Sequence, residues 1–169
     1  MESTKDKIEK NLTFIRHAQS THNAALKNYP NLDEKDFVNT KLSEEGITQA
    51  SKISGECELL ILSPMKRTLE TYIHSKLKVK RLVTSDLFRE WTGCGTPSMF
   101  ELEDHSKKET ENDLQNRVTK ALEFIKQQPE KNIVILSHCV FLRFMCAKIG
   151  RGREDFHNAQ VVQEKDVLF

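Results

Sequence analysis

Residues 12–20 read LTFIRHAQS, a short apolar run that stops at Arg16 and His17. Two later runs have the same form, LLIL at 59–62 and IVIL at 133–136, and polar residues follow each of them. Short runs of branched apolar residues between polar flanks are typical of strands that are buried on both faces. The sequence therefore predicts three buried strands, each followed by polar side chains.

Between these strands lie segments whose apolar residues recur at helical spacing. In 113–128 the residues on one face are Leu114, Val118, Ala121, Leu122 and Ile125. Ser43 is a favourable N-cap for a second helix, and 65–75, just after a proline, is predicted as a third. The second helix would turn three apolar side chains inward, namely Ile47, Ala50 and Ile53. A weaker apolar run at 77–83 predicts a fourth strand.

Strands that alternate with helices require crossover connections, which place parallel strands side by side and helices on both faces of the sheet. We therefore predict an α/β fold, a three-layer sandwich with a mostly parallel central sheet. The length of 169 residues suits one domain and no linker divides it, so residues 1–169 are expected to form a single domain. Loops are predicted at 29–40 and 92–108, and we expect them to set the choice of substrate.

Composition and charge exclude several classes of protein. The 26 basic and 25 acidic side chains give a net charge of +1, so no overall field draws the chain to nucleic acid or to an anionic membrane. No apolar run reaches the ~20 residues of a membrane-spanning helix, and the amino-terminal MESTKDKIEK lacks the apolar segment of a secretory signal. The four cysteines form no CxxC pair, which argues against disulfides and a zinc site. We expect a cytoplasmic protein without metal or cofactor.

The polar residues after the strands are predicted to meet in one crevice, because ligands of parallel sheets bind beyond the carboxyl ends of the strands. Arg16 and His17 follow the first strand, Arg67 lies just beyond the second, and His138 follows the third. In a chain of nearly zero net charge these four side chains form a local positive cluster. The planar arginine fork matches phosphate oxygens. The cluster therefore predicts a phosphate site.

Transfer of a phosphoryl group also needs an attacking group and a proton donor. Neighbouring arginines lower the pKa of a histidine and so keep a ring nitrogen free to attack, and His17, beside Arg16, is the better placed histidine. The donor is expected after the fourth strand, where Glu90 closes the sequence DLFRE. Four other carboxylates near it in sequence remain candidates for the proton donor, namely Asp86, Glu101, Glu103 and Asp104.

The segment RHAQSTHN at 16–23 resembles the RHG signature of the histidine phosphatase superfamily, in its phosphoglycerate mutase-like branch. Four more pieces occur in the order of that family: KLSEEGITQA at 41–50, SPMKRT at 63–68, DLFREW at 86–91 and LSHCVFLR at 136–143. Weaker echoes are ETENDLQNRV at 109–118 and HNAQVV at 157–162. The match spans nearly the whole chain, and five motifs in sequence make it specific.

The resemblance implies a role for each matched residue. His17 would carry the phosphoryl group during turnover, and Glu90 would donate the proton to the leaving group. The phosphoryl oxygens would be bound by Arg16, Arg67 and the catalytic His138, with Asn23 and Ser20 at positions that often line the same pocket in relatives. The acid phosphatase branch has an aspartate acid directly after the second histidine. Cys139 occupies that place here, which favours Glu90 as the acid.

The resemblance also implies an activity. Mutases of this family enclose the substrate with longer insertions, which this short chain lacks, so water is expected to reach the phosphohistidine. We predict a metal-independent phosphate monoester hydrolase that acts on a small phosphorylated molecule or on a phosphoprotein. Two alternatives stay open: a phosphomutase of the same fold, and a catalytically silent module that binds a phosphorylated ligand. The physiological substrate and the oligomeric state do not follow from the sequence.

Overall fold

The computed structural model describes residues 8–29, 39–94, 108–152 and 155–169. Most of both predicted loops lies outside them. In chain order the strands and α-helices of the described residues are β1 (Glu9–Arg16), α1 (Thr21–Asn28), α2 (Glu44–Ala50), β2 (Ser54–Leu62), α3 (Lys66–His74), β3 (Lys76–Thr84), α4 (Glu111–Lys126), β4 (Asn132–Ser137), α5 (Cys139–Lys148) and β5 (Val161–Leu168).

These strands form one sheet in the order β3-β2-β4-β1-β5. The first four pair in parallel, and β5 runs antiparallel to β1 at one edge. The prediction of an α/β fold with a mostly parallel sheet is therefore confirmed. All four strands predicted from apolar runs form, as β1, β2, β3 and β4. The three predicted helices form as α2, α3 and α4, whereas α1, α5 and β5 were not predicted.

Helices cover both faces of the sheet. Successive side chains along a strand point to opposite faces. Leu59 and Ile135 consequently join one core cluster with side chains of α4 and α5, whereas Leu60 and Val134 join a second cluster with side chains of α3. The central strands are buried on both sides, which explains why their sequences are continuously apolar.

The second helix buries Ala50 as predicted, but the rest of its inward face differs from the prediction. It follows the N-cap Ser43 as expected, but the prediction for Ile47 is wrong, because this side chain is 39% exposed. Gly46 lies on the inward face instead. A Cβ at Gly46 would lie 2.0 Å from the carbonyl oxygen of Gln19, so a residue without a side chain is needed for this close approach. Ile53 is buried, but it lies beyond the end of α2.

The register of the sheet brings three strand ends to the same edge. Hydrogen bonds continue just past the strands: the His17 N–H donates to the Ser137 carbonyl at 2.9 Å, and the Ser63 N–H donates to the Leu136 carbonyl at 3.1 Å. The segments that leave β1, β2 and β4 are thus fixed relative to one another. The side chains that they carry are positioned by the most buried part of the fold.

Candidate active site

Four side chains from three chain segments lie together at this edge of the sheet. His17, Arg67 and His138 are buried, and Arg16 is half-buried. The ring centroids of His17 and His138 are 5.1 Å apart, and Arg67 Nε lies 3.2 Å from His17 Nε2. Arg16 is close enough for its charge to act on both histidines. The structure therefore brings together the cluster that the strand ends predict.

The hydrogen bonds of His17 fix its tautomer. Its Nδ1 lies 2.7 Å from the carbonyl oxygen of Ala18, and because a carbonyl only accepts, Nδ1 must carry the proton and donate it. Nε2 is then the nitrogen with the free lone pair, and Arg67 Nε–H donates to it. The backbone at Ala18 is held in turn by its N–H, which donates to Thr71 Oγ1 at 3.0 Å. The unprotonated nitrogen of His17 therefore points toward a guanidinium group.

The pKa of His17 is lowered well below its ordinary value. Burial is the main cause, and the positive charges of Arg67 and Arg16 add to it, because each makes a second positive charge unfavourable. The ring is therefore neutral at physiological pH. A neutral imidazole with its lone pair at Nε2 can act as a nucleophile.

His138 is the second buried histidine of the cluster. Its Nε2 lies 2.7 Å from Ser63 Oγ, and the Met65 N–H donates to the same hydroxyl at 3.4 Å. Burial and the charge of Arg67 lower the pKa of His138 well below its ordinary value. When the hydroxyl donates to Nε2, Nδ1 carries the ring proton. Nδ1 is buried and has no hydrogen-bond partner among the described residues, so it is available as a donor to an added oxygen.

Arg16 also has an unused donor in the described part of the chain. Its Nη1 donates to the Phe156 carbonyl at 2.5 Å, whereas its buried Nε–H has no partner there. Buried N–H groups without partners are costly, and a bound anion would remove that cost. The unused donors of Arg16 and His138 both suit the oxygens of a phosphate group.

Glu90 is buried at the amino-terminal end of α5. One carboxylate oxygen, Oε1, accepts from the N–H groups of Trp91 at 2.9 Å and Phe141 at 3.0 Å, and Oε2 accepts from Val140 at 3.2 Å. His138 is the N-cap residue of the same helix. The start of α5 therefore holds the carboxylate of Glu90 and carries the second histidine.

The other carboxylates that the sequence left open differ in placement. Asp86 lies in a 3₁₀ turn, Asp86–Phe88, and is exposed. Glu101, Glu103 and Asp104 lie outside the described residues. Between the two described candidates, only Glu90 is buried and bonded to an element that carries a residue of the cluster.

Ser20 and Asn23 form the cap of α1. The Ser20 hydroxyl accepts from the Asn23 N–H at 3.1 Å, and Asn23 Oδ1 accepts from the N–H and the hydroxyl of Ser20 at 3.2 and 2.9 Å. This reciprocal arrangement is a capping box. Because Oδ1 faces the cap, the Nδ2 group of Asn23 is the end that can donate elsewhere. Phosphate binding by these two residues stays a prediction.

Two residues next to the cluster were not singled out from the sequence. Asn158 Nδ2 lies 3.3 Å from the carbonyl oxygen of His17 and 3.4 Å from Asn23 Oδ1, so it connects the backbone of His17 to the α1 cap. His22 on α1 is buried, and its pKa is lowered by burial and then by the charge of Arg67. The echo HNAQVV at 157–162 was the available signal for Asn158.

The described residues contain neither a metal-binding cluster nor a membrane-spanning helix. No three of their His, Cys, Asp and Glu side chains are arranged so that they could hold a metal ion. None of their helices is long and apolar enough to cross a membrane.

The buried histidines predict a stability that falls in acid. An unfolded histidine takes up a proton near pH ~6.5, whereas His17 and His138 stay neutral in the folded protein until well below that pH. Below pH ~6.5 the unfolded state therefore binds more protons, and the free energy of unfolding is expected to fall by up to ~1.4 kcal/mol per pH unit for each such histidine. Urea unfolding at a series of pH values measures this slope.

The matched variant for this experiment is His17→Asn, whose amide can still donate to the Ala18 carbonyl but cannot titrate. Its slope of unfolding free energy against pH should be smaller than that of the unmodified protein below pH ~6.5. Equal slopes for the two proteins would show that His17 is not kept neutral by the fold.

Fold and site together define a class: an α/β protein with two histidines and two arginines gathered beyond the carboxyl ends of its parallel strands. The model of the histidine phosphatase superfamily (branch 1) matches residues 12–164. The chain belongs to this superfamily, which confirms the resemblance carried by the motifs. A search of curated proteins found no match.

Solved structures share the fold at low sequence identity. A protein from an open reading frame of Mycobacterium tuberculosis is 16% identical, with a TM-score of 0.64 and 95% of each chain covered. Phosphoserine phosphatase from Entamoeba histolytica, in complex with 3-phosphoglyceric acid, is 16% identical, with a TM-score of 0.61 and 94% of each chain covered. Phosphoglycerate mutase from Thermus thermophilus is 17% identical, with a TM-score of 0.63, covering 90% of this chain and 91% of the mutase. These structures include a phosphatase and a mutase on one fold.

Proposed function

We propose that the chain is a phosphate monoester hydrolase that works through a phosphohistidine on His17. The observation that carries this proposal is the geometry of His17, whose Nδ1–H donates to Ala18 while Nε2 faces Arg67. A neutral imidazole whose lone pair is aimed at guanidinium donors suits attack on a phosphate ester, because the same donors bind the phosphoryl oxygens. Membership of the superfamily supports a phosphatase-type enzyme.

In the first step, Arg67 releases its hydrogen bond to Nε2 of His17 and turns to the phosphoryl oxygens, and Nε2 attacks phosphorus in line with the ester bond. A P–N bond forms and the P–O bond to the leaving group breaks, and its electron pair departs with the ester oxygen. Glu90, in its protonated form, gives that oxygen a proton. Arg16, Arg67 and His138 donate to the three equatorial oxygens, where negative charge is concentrated.

In the second step, a water molecule displaces His17 from phosphorus. The carboxylate of Glu90 takes a proton from the water molecule while the oxygen of that water attacks phosphorus. The P–N bond breaks, its electron pair returns to Nε2 of His17, and inorganic phosphate leaves. Both steps use side chains of this chain alone, and Glu90 returns to its protonated form at the end of the cycle.

A phosphomutase is the second candidate, because a phosphoglycerate mutase is among the structures that share the fold. The substrate class that we propose, a small phosphorylated molecule, is supported by the phosphoserine phosphatase in complex with 3-phosphoglyceric acid. In both cases the phosphoryl group would pass through His17. The two candidates differ only in the molecule that accepts it.

The experiment is a phosphate-release assay over a varied panel of monoesters, with His17→Ala as the negative control. A radiolabelled phosphoryl group distinguishes the outcomes. Label recovered as inorganic phosphate supports the hydrolase, and label recovered on a second small molecule supports the mutase. If neither occurs while inorganic phosphate still binds in the crevice, the chain is a silent binding module and the proposal is wrong.

Replacing Arg67 with alanine should cost ~2–3 kcal/mol of transition-state stabilisation, about a hundredfold in kcat/KM, the usual loss when one preorganised donor is removed. The reason is that Arg67, which is buried in the cluster beside Nε2 of His17, would donate to a phosphoryl oxygen in the transition state. Steady-state kinetics on the best ester of the panel measure the effect. Arg143→Ala, an exposed arginine on α5, is the matched control and should keep normal activity. Normal activity of the Arg67 variant would remove this residue from the site.

A further inference from the structure

A buried ion pair lies directly behind Glu90. Arg117 on α4 is buried, Glu109 just before that helix has a side chain that is 9% exposed, and the two side chains meet in a bidentate contact. Arg117 Nε donates to Glu109 Oε1 at 2.7 Å, and Nη2 donates to Oε2 at 2.7 Å. Burying two charges is expensive unless each also gains further hydrogen bonds. The remaining donors of Arg117 therefore need partners of their own.

The remaining donors of Arg117 all bind the backbone that leads to Glu90. Its Nη1 donates to the carbonyl oxygens of Leu87 at 2.9 Å and Arg89 at 2.8 Å, and Nη2 donates to that of Glu90 at 3.4 Å. A guanidinium group has five N–H donors, and here every one has a partner. A lysine in this place has only three donors and no planar fork, so it could not make the same set.

Arg117 and Glu109 also contact Phe141 and Trp91, two residues whose N–H groups bind the Glu90 carboxylate. The guanidinium carbon of Arg117 lies 4.9 Å from the ring centroid of Phe141, whose N–H donates to Glu90 Oε1. The Glu109 carbonyl accepts from the indole Nε1–H of Trp91 at 2.8 Å, and the Trp91 N–H donates to Glu90 Oε1. Two of the three residues whose N–H groups hold the carboxylate, Phe141 and Trp91, thus contact Arg117 or the backbone of Glu109 through their side chains.

We propose that the Arg117–Glu109 pair is the positioning unit of the proton donor: it fixes the backbone and the carboxylate of Glu90 relative to His138 and the start of α5. This inference rests on the function proposed above. In this proposal the Arg117–Glu109 pair does not contact the substrate. The largest effect of the pair is on proton transfer, because Arg16, Arg67 and His17 are held by other bonds, while the charge of Arg117 also acts on His138.

A small displacement of a catalytic group can cost about a hundredfold in rate. The loss should appear only where the proton of Glu90 is needed. Phenyl phosphate releases a phenolate whose conjugate acid has a pKa of ~10, as tyrosine does, and it needs protonation. p-Nitrophenyl phosphate has nearly the same shape but releases a stable anion without help. The two esters therefore separate damage to proton donation from damage to the rest of the site.

The test compares Arg117→Lys and Glu109→Gln with the unmodified protein and with Arg143→Lys, an exposed control. Rapid-quench mixing of each protein with each ester measures formation of the phosphorylated enzyme in a single turnover. For the two positioning variants we expect a ~10- to 100-fold loss with phenyl phosphate and a loss of no more than about threefold with p-nitrophenyl phosphate. The Arg143 control should be normal with both.

Equal losses with the two esters would overturn the inference, since they would mean that the pair only supports the fold. Unchanged rates with both esters in the two variants would overturn it as well. In either case the proposed function survives, because the unmodified protein still forms a phosphorylated enzyme. If the unmodified protein forms none with either ester, the proposed function fails and the inference fails with it. Glu109→Gln keeps the shape of the side chain and serves where Arg117→Lys does not fold.

Discussion

Replacing His17 with alanine is expected to abolish turnover, with a fall in kcat of at least ~10⁴-fold, as for the loss of the nucleophile in other enzymes with a covalent intermediate. The reason is that His17 Nε2 would be the atom that bonds to phosphorus, so alanine removes the bond-forming atom itself. The measurement has two parts, phosphate release in the steady state and incorporation of acid-labile label from a radiolabelled ester. Both should disappear together.

The matched control for this variant is His74→Ala, an exposed histidine in the last turn of α3. It should turn over and incorporate label normally. The alanine at position 17 removes buried volume and one hydrogen bond, so thermal unfolding must show that the variant is folded. A folded His17→Ala protein that still releases phosphate at a normal rate would refute the assignment of the nucleophile.

Much of the fold could be predicted because the central strands are buried on both faces. LTFI, LLIL and IVIL are continuously apolar, and short runs of this kind are typical of buried strands. α5 was missed because its sequence is also apolar over much of its length, with Phe141 and Leu142 adjacent and both buried, so no single stripe marks a helix. β5 was missed because only two of its residues, Val162 and Val167, are buried, and an antiparallel edge strand shows a weak pattern.

Some residues of the candidate site could likewise be predicted from the sequence, whereas the contacts of others could not. Arg16, His17 and His138 follow strands directly, so the topology of a parallel sheet was enough to place them together. Glu90 could be named because it follows β3 in sequence, but its three backbone donors come from Trp91 and the start of α5, and such long-range bonds leave no local pattern. The echo HNAQVV pointed to the segment of Asn158, but its contacts with His17 and Asn23 join positions far apart in sequence and are visible only in the folded structure.

Replacing Glu90 with glutamine is expected to slow both chemical steps, by ~10²- to 10⁴-fold where a proton must be transferred. Glutamine keeps the shape of the side chain but can neither protonate the leaving oxygen nor take a proton from water. With p-nitrophenyl phosphate the first step needs no protonation, so it should stay fast while hydrolysis of the phosphohistidine becomes slow. Stopped-flow absorbance should then show a burst of p-nitrophenol that approaches one equivalent per chain, followed by slow turnover.

The burst would separate Glu90 from the other carboxylates. Asp86→Asn, in the exposed 3₁₀ turn just before it, is the matched control and should show fast turnover without an accumulated intermediate. Mass spectrometry of the Glu90→Gln protein during the burst should find the phosphoryl group on the peptide that contains His17. Normal steady-state rates with both phenyl and p-nitrophenyl phosphate would mean that a different carboxylate transfers the proton. The three backbone N–H groups that hold Glu90 would then serve only to connect the segment after β3 to α5.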